Sequence, residues 1–414
     1  MSTPVRPIQA AERHESVDLL RGLALLGILV INIQLFSTPY AESMNPTALG
    51  DRGRVDYWIW VASYLLFESK YMTIFSLLFG AGVLIMTTRV AERGGRAAAL
   101  HYRRMFWLLA FGLLHAYMIW DGDILVLYAV CGALVYPLRH LPPLTLLVLG
   151  VLALSVSSLL MIVAGLNMDN APPQALEEVY GFFAPGPTSL QDETAAYQGG
   201  WLTQMPLRVE RSWEFHAFDL WSWGIWRAGG LMLIGIALLK WRVVTGERRV
   251  SFYTKLAVFG FVVGLAVVAL GVVEMRARNW DAIYSYFLGA QFNYWGSVLV
   301  ALGWIGLFLL VWKSGALRGL VSRLVAVGRT AFSCYILTSL ICTFVFYGHG
   351  LGLFGTVGRP GQLLVTLVVW GALLIAAPLW LSRYRFGPLE WIWRTLTYRE
   401  RQPMRRLTRQ QSPA

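Results

Sequence analysis

Charge is what this sequence has least of. Only 14% of its 414 residues are Asp, Glu, Lys or Arg, and 57% are hydrophobic. An ordinary soluble chain is nearer 25% charged, so the shortage excludes a soluble globular domain. Cysteine is scarce as well. Cys131, Cys334 and Cys342 all fall within apolar runs, which excludes a disulfide framework and leaves buried thiols as small apolar side chains. The six His and three Cys show no metal-ligand spacing, so no metal is expected. Neither a phosphate-binding Gly loop nor a nucleophile elbow occurs. No inverted repeat and no matching pair of broken helices is legible. The net charge is +12, yet no basic stretch outside the apolar runs is long enough to fold as a nucleic-acid reader.

What the chain does have is apolar blocks of roughly 20 residues, the length a helix needs to cross hydrocarbon. Continuous rather than alternating runs exclude a barrel and predict an all-α, polytopic transmembrane bundle. Ten crossings are expected, at 18–36, 57–88, 105–121, 123–138, 143–164, 220–239, 255–273, 286–312, 325–348 and 362–382. The second is too long for one straight span. It reads as an interfacial piece, 57–67, joined to a span, 71–88, across "ESK" (68–70). The fourth is short and ends at Pro137. Arg6 and Arg13 before an apolar run give the outline of a signal peptide. Asp18 and Arg21 inside that run, and its length, favour an uncleaved first helix.

Lys and Arg in short loops set orientation. Five fall in 89–104, five in 240–255, four in 313–329, and eight Arg in the tail from 383. With ten crossings these all lie on one side, giving N-in and C-in. The segment 165–219 carries eight Asp/Glu against two Arg and falls outside. The chain therefore divides into a cytoplasmic segment 1–17, helices over 18–164, an acidic extracytoplasmic loop 165–219, helices over 220–382, and a basic tail 383–414. Within the loop, "APGPTSLQDETAAYQGGW" (184–201) reads as flexible or lid-like. In the tail, "FGPLEWIWRTLTY" (386–398) reads as a helix begun at Pro388 and lying on the inner membrane surface. Trp221, Trp223 and Trp226 suit an aromatic belt. The basic excess is also drawn to anionic lipid.

Ionisable groups at membrane depth are costly and so are paired or functional. Here they form two layers. In the inner layer, Asp18 and Arg21 are i, i+3 neighbours able to pair. Asn32, eleven residues past Arg21, returns to the same helix face. Arg103, Arg104 and Arg329 lie at similar depth. They read either as topology anchors or as ligands for the phosphates of a cytosolic molecule. In the outer layer, "DGD" (121–123) is a turn between helices, with Gly122 supplying backbone freedom. His115, six residues before Asp121, lies roughly 9 Å deeper. Arg227 is placed in the outer half, with Asp121, Asp123 and Glu68 the nearest carboxylates in depth. Lys70, Gln291 and Asn293 belong there too. Glu68, Lys70 and Arg227 read as structural ion-pairing groups. His115 reads as a core histidine, a general base or acyl acceptor, or a pore-lining proton relay. Ser69, Thr73, Ser76 and Gly80 form a small-residue face for close helix packing.

Several stretches, in order, resemble the YeiB-like family of bacterial inner-membrane proteins, a family of unassigned function. They are "DLLRGLALLGILVIN" (18–32), "KYMTIFSLLFGAG" (70–82), "GLLHAYMIWDGDILVLYAVCG" (112–132), "GRTAFSCYILTSLI" (328–341) and "GPLEWIWRTLTY" (387–398). The resemblance implies a multi-pass protein of the bacterial plasma membrane. Asp18-x-x-Arg21-Gly22, with Asn32 eleven residues on, is also distantly similar to the first helix of transmembrane acyltransferases, including the heparan-glucosaminide acetyltransferase relatives. Those enzymes carry a candidate catalytic His in or just after that helix, whereas residues 18–100 here hold none. His115 takes that place by depth alone.

The resulting expectation is an acyltransferase-like protein with no permanently bound cofactor. Acyl-CoA, the co-substrate, would bind near Asp18, Arg21, Asn32, Arg103, Arg104 and Arg329. His115, tuned by Asp121 or Asp123, would deprotonate an envelope glycan or small-molecule acceptor from outside. The rivals are a transporter of a small amphiphile, its polar groups lining a passage, and a non-catalytic scaffold. The charge pattern makes its own prediction. A phosphatase that works only when exported should be silent when fused after residue 95, 246 or 398 and active after 190. Activity at 246 would overturn the orientation.

Overall fold

A computed structural model describes residues 14–50 and 52–406. Arg6 and Arg13 of the N-terminal charge pattern, and Arg409 of the tail, lie outside them. Among the described residues the chain is helical, and the sole β pairing is an isolated bridge between Tyr384 and Arg405. The helices are α1 (Glu15–Ser37), α2 (Tyr40–Met44), α3 (Arg54–Leu66), α4 (Lys70–Glu92), α5 (Ala97–Met118), α6 (Leu125–Val135), α7 (Pro143–Leu166), α8 (Pro173–Phe183), α9 (Pro187–Gln198), α10 (Trp201–Glu214), α11 (Ile225–Lys240), α12 (Val250–Ala277), α13 (Ala290–Ser314), α14 (Arg318–Arg329), α15 (Ala331–Phe346), α16 (Arg359–Arg383) and α17 (Pro388–Tyr398). Prolines open α7, α8, α9 and α17, where a missing N–H costs nothing. Wide π-type turns join α10 to α11 and lead into α13.

Among the described residues, seven helices are long and apolar enough to cross a bilayer, or eight if the bent pair α14–α15 counts as one span. The ten expected crossings differ from this at two places. α6 has only 11 residues, about 16 Å at 1.5 Å per residue, well short of a 30 Å hydrocarbon core. α5 has the length but carries His101, Arg103 and Arg104 in its first turns. These two pack against each other as a hairpin, Gly112 on Val126 and Gly132 on Met105. The "ESK" break is present: α3 ends at Leu66, and Ser69 takes a left-handed conformation (φ 64°) before α4 begins. The ninth span is not straight, because α14 and α15 meet at 87°.

The basic segments gather at one end. There Lys240 Nζ donates to the Leu141 carbonyl and Lys313 Nζ to that of Gly246 (2.6 and 2.8 Å), and Tyr136 stacks on His101. At the other end, Arg359 sits between Glu42 and Asp56, 3.2 Å from each. Burial pushes the Glu42 carboxyl up, opposed by Arg359 and Arg52. The segment 184–201, expected to be flexible or lid-like, lies within α8–α10, which form a helical cap. Tyr197 of α9 is buried between Tyr347 and Phe354. Trp201 and Ser212 bond carbonyls at the end of α5. Trp and Tyr side chains supply the apolar area that the acidic sequence pattern obscures.

Helices in this bundle meet backbone to backbone. A Cβ at Gly80 would stand 2.0 Å from the Met232 carbonyl oxygen, and one at Gly235 would stand 1.9 Å from that of Leu77. Gly22 and Gly328 lock α1 to α14 in the same way, at 2.0 Å from Leu324 O and 1.8 Å from Asp18 O. Small residues permit such approach where lipid offers no hydrophobic drive. Of the predicted small face, Thr73 and Ser76 are buried and Ser76 bonds Tyr128, while Ser69 stands at the break. The three cysteines are free and buried. Gly80→Ala should therefore lower the unfolding free energy by about 1–3 kcal/mol, read as denaturant midpoint in mixed micelles. Gly371→Ala, with open space around it, should leave the midpoint unchanged or raise it.

Candidate functional site

A cavity of about 250 Å³ opens at the basic end of the bundle. Its mouth is lined by Asp18, Arg21, Arg89, Arg104, Arg329 and Arg394. Deeper, the lining turns apolar, with Leu25, Phe75, Leu108, Leu125, Phe332 and Tyr335. The gradient suits a ligand with anionic groups at one end and a slim apolar arm at the other.

Four of the six residues expected to bind an inner-face ligand line this cavity: Asp18, Arg21, Arg104 and Arg329. Asp18 accepts from Arg21 Nη1 at 2.9 Å. The Arg104 guanidinium lies 4.3 Å over the Trp393 ring, and Trp393 donates to the Arg104 carbonyl. The other two stand elsewhere. Arg103 turns to the far side of α5 and donates to the Thr397 carbonyl near the end of α17, where a cation complements the helix dipole. Asn32 is half-buried one turn past Ile28, the last residue of α1 at the cavity.

The cavity wall also contains a helix start. Because α14 and α15 break at Thr330, the first N–H groups of α15 have no helical carbonyl to bond. Glu390 of α17 supplies the acceptor. Its Oε1 receives the N–H groups of Phe332 and Ser333, at 2.7 and 3.1 Å, and its Oε2 receives the Ser333 hydroxyl. So α17 is pinned under the bundle by a carboxylate as well as by its tryptophans. The sequence shows the helix but not this role, because nothing marks Ala331 as a helix start inside the bundle.

Beyond the cavity floor lies the outer polar layer. His115 is 1% exposed. Its Nδ1 is 2.8 Å from Asp123 Oδ1, and its Nε2 is 3.0 Å from Ser339 Oγ. The second Asp123 oxygen takes the Val126 N–H at 2.8 Å, in the first turn of α6, where a carboxylate also meets the positive end of the helix dipole. Tyr335, on the cavity floor, packs its ring 5.1 Å from the imidazole. Trp120 covers His115 on the cap side and stacks on Phe36 at 4.0 Å. The geometry orients an imidazole by a carboxylate and aims its other nitrogen at a hydroxyl, an arrangement able to move a proton.

The two aspartates part company. Asp123 meets His115, whereas Asp121 accepts from the Tyr197 hydroxyl at 3.1 Å and so ties the turn to the cap. Arg211 joins there, bonding Tyr197 and pairing with Glu193 at 2.8 Å. Gly122 answers a different need from the one expected. Its φ is not positive; a Cβ there would stand 2.3 Å from the Trp120 ring.

The expected ionic cluster is held by other means. Arg227, buried, donates to the Tyr294 carbonyl and the Ser297 hydroxyl at 3.0 and 2.8 Å and lies over the Tyr294 ring at 4.2 Å, with no carboxylate at salt-bridge distance among the described residues. Lys70 donates to Asn293 and to the Tyr64 carbonyl. Glu68 accepts from Ser69. Ser339, which sequence reading did not single out, had one usable signal: a hydroxyl one turn past a tyrosine in an apolar helix. No group of His, Cys, Asp and Glu able to hold a metal occurs among the described residues.

Comparison with known proteins adds context. The family described as "Protein of unknown function (DUF418)" matches residues 238–400, which include Arg329, Ser339 and Glu390 but not His115 or Asp123. The chain is 30% identical to "Uncharacterized protein YxaH" of Bacillus subtilis (strain 168), over 98% of this chain and 99% of that protein. It is 31% identical to "Uncharacterized protein YeiB" of Escherichia coli (strain K12), over 95% and 98%.

Asp123→Ala removes partners from two buried groups and should cost about 3 kcal/mol or more of stability. Asp121→Ala loses one hydrogen bond and should cost about 1 kcal/mol. Denaturant titration of both variants tests the division; equal losses would contradict it.

Proposed function

The chain belongs to the YeiB-like family of multi-pass membrane proteins, and from that premise we propose that it is an acyltransferase of the bacterial inner membrane. It would draw on cytosolic acyl-CoA and serve an extracytoplasmic acceptor such as an envelope glycan. The observation that carries this reading is the stacking of two features along one axis: an arginine-mouthed cavity at the basic end, and a buried carboxylate–imidazole pair just beyond its apolar floor. The nucleotide phosphates would meet Arg21, Arg89, Arg104, Arg329 and Arg394, the pantetheine arm would enter the cavity, and the thioester would approach Tyr335. His115, oriented by Asp123, then acts as general base. Asp123 rather than Asp121 is the tuning carboxylate. The cap closes the far side, so an acceptor enters only as α9 and α10 lift from the Asp121–Tyr197–Arg211 contacts.

One feature favours a transporter instead: a span broken at 87° beside a polar cavity, a form that substrate pathways use. The two readings separate experimentally. Acetyl-CoA should raise the melting temperature of the detergent-purified protein, and by more than free or desulfo CoA, which carry the same phosphates without the acyl group. A ligand at a hundred times its Kd adds about 2.7 kcal/mol to the folded state. Arg21→Ala should abolish the shift. Absence of a shift across several acyl chains, with flux of an amphiphile into proteoliposomes, would sink the enzyme reading.

A further inference from the structure

Resting on that acyl-thioester reading, we propose that Ser339 is the nucleophile that carries the acyl group as an ester between donor and acceptor. Three separate elements deliver the arrangement: α5 brings His115, the turn after it brings Asp123, and α15 brings Ser339. Asp123 receives the Val126 N–H on one oxygen and faces His115 Nδ1 with the other at 2.8 Å. A carboxylate in that setting accepts only, so Nδ1 bears the proton and Nε2 presents its lone pair to Ser339 Oγ at 3.0 Å. This is the nucleophile–base–orienter logic of activated serines, recognised by geometry rather than by sequence order.

A structural role for the serine explains less. A serine within a helix satisfies its hydroxyl on the carbonyl one turn back, and the Tyr335 carbonyl stands 3.3 Å from Ser339 Oγ for that purpose. The shorter contact is to the imidazole. Neither His115 nor Asp123 is needed to satisfy Ser339, and burying that pair costs free energy that apolar side chains would not.

The position also fits. Ser339 lies one helical turn from Tyr335, which lines the cavity floor and contacts the His115 ring. The Tyr335 hydroxyl is buried, with the Ile124 backbone beside it and no hydrogen bond of full geometry among the described residues; it would donate to a thioester carbonyl oxygen. In the first half-reaction Ser339 Oγ attacks the thioester carbonyl carbon and the C–S bond breaks. The serine proton passes through His115 Nε2 to the departing thiolate. The products are acyl-Ser339 and free CoA thiol. In the second half, an acceptor hydroxyl or amine attacks the ester carbonyl carbon, the bond from that carbon to Ser339 Oγ breaks, and His115 moves the acceptor's proton to Oγ, giving the acylated acceptor and free Ser339.

The test uses the full-length protein in detergent with two probes, radiolabelled acetyl-CoA and a fluorophosphonate, each followed by denaturation and peptide mass spectrometry. The expected result is one acetyl group, or one phosphonyl group, on the peptide bearing Ser339. Ser339→Ala and His115→Ala should lose it, and Asp123→Asn should slow it at least about a hundredfold. The Ser339→Ala variant should keep the wild-type acetyl-CoA melting shift, which shows that it folds and binds. A melting shift without label on Ser339, or turnover retained in Ser339→Ala, overturns the nucleophile and leaves the acyltransferase reading standing. Fluorophosphonate labelling that depends on His115, with no acetyl-CoA shift, upholds the nucleophile and overturns the donor. No label from either probe overturns the proposal.

Discussion

The break at Thr330 is the constraint on which the cavity depends. α14 is pressed against α1 so closely that two glycines leave no room for a Cβ, and α15 turns away at 87°. That turn strands backbone donors in a low-dielectric interior, where an unmet N–H costs as much as a lost hydrogen bond. Glu390 meets them. The requirement draws α17 under the bundle and brings Trp393 and Arg394 to the cavity wall. The broken helix thus brings Arg329, Phe332 and Tyr335 to the pocket, beside Arg21 of α1, Arg89 of α4 and Arg104 of α5.

Beyond the floor the structure spends polar groups sparingly and sorts them into two sets. His115, Asp123 and Ser339 form one chain of contacts, while Asp121, Tyr197, Arg211 and Glu193 form a second that fastens the cap. Residues 121 and 123 differ only by register across a tight turn, yet one serves the interior and the other the lid. Asp123 thus meets His115 and the Val126 N–H, while Asp121 meets Tyr197 of the cap.

Much was legible early. Apolar run length and the Lys/Arg bias give an all-α membrane bundle with its basic segments at one end, because hydrocarbon admits only self-satisfied helices and loop charge follows orientation. The inner cluster of Asp18, Arg21, Arg104 and Arg329 was visible as depth. Depth does not give azimuth, which is why Arg103 belongs to the other side of its helix. Arg227 shows the same limit from another direction. A buried guanidinium demands acceptors, but a carbonyl, a hydroxyl and an aromatic face satisfy it as well as a carboxylate does, and none of these is distinctive in a sequence.

The sequence by itself determined the class of solvent, the helical architecture, the basic end, the "ESK" break and the presence of a histidine among apolar neighbours. Each follows from composition or local spacing, which act over one or two turns. Only the tertiary structure decided that α14 and α15 are two helices, that Glu390 completes the second, that α8–α10 form a cap, and that Ser339 meets His115 across 224 positions of chain. Those outcomes depend on which helix faces press together. That is fixed by close contacts at glycines and by the need to pair buried polar groups, and neither has a local signature.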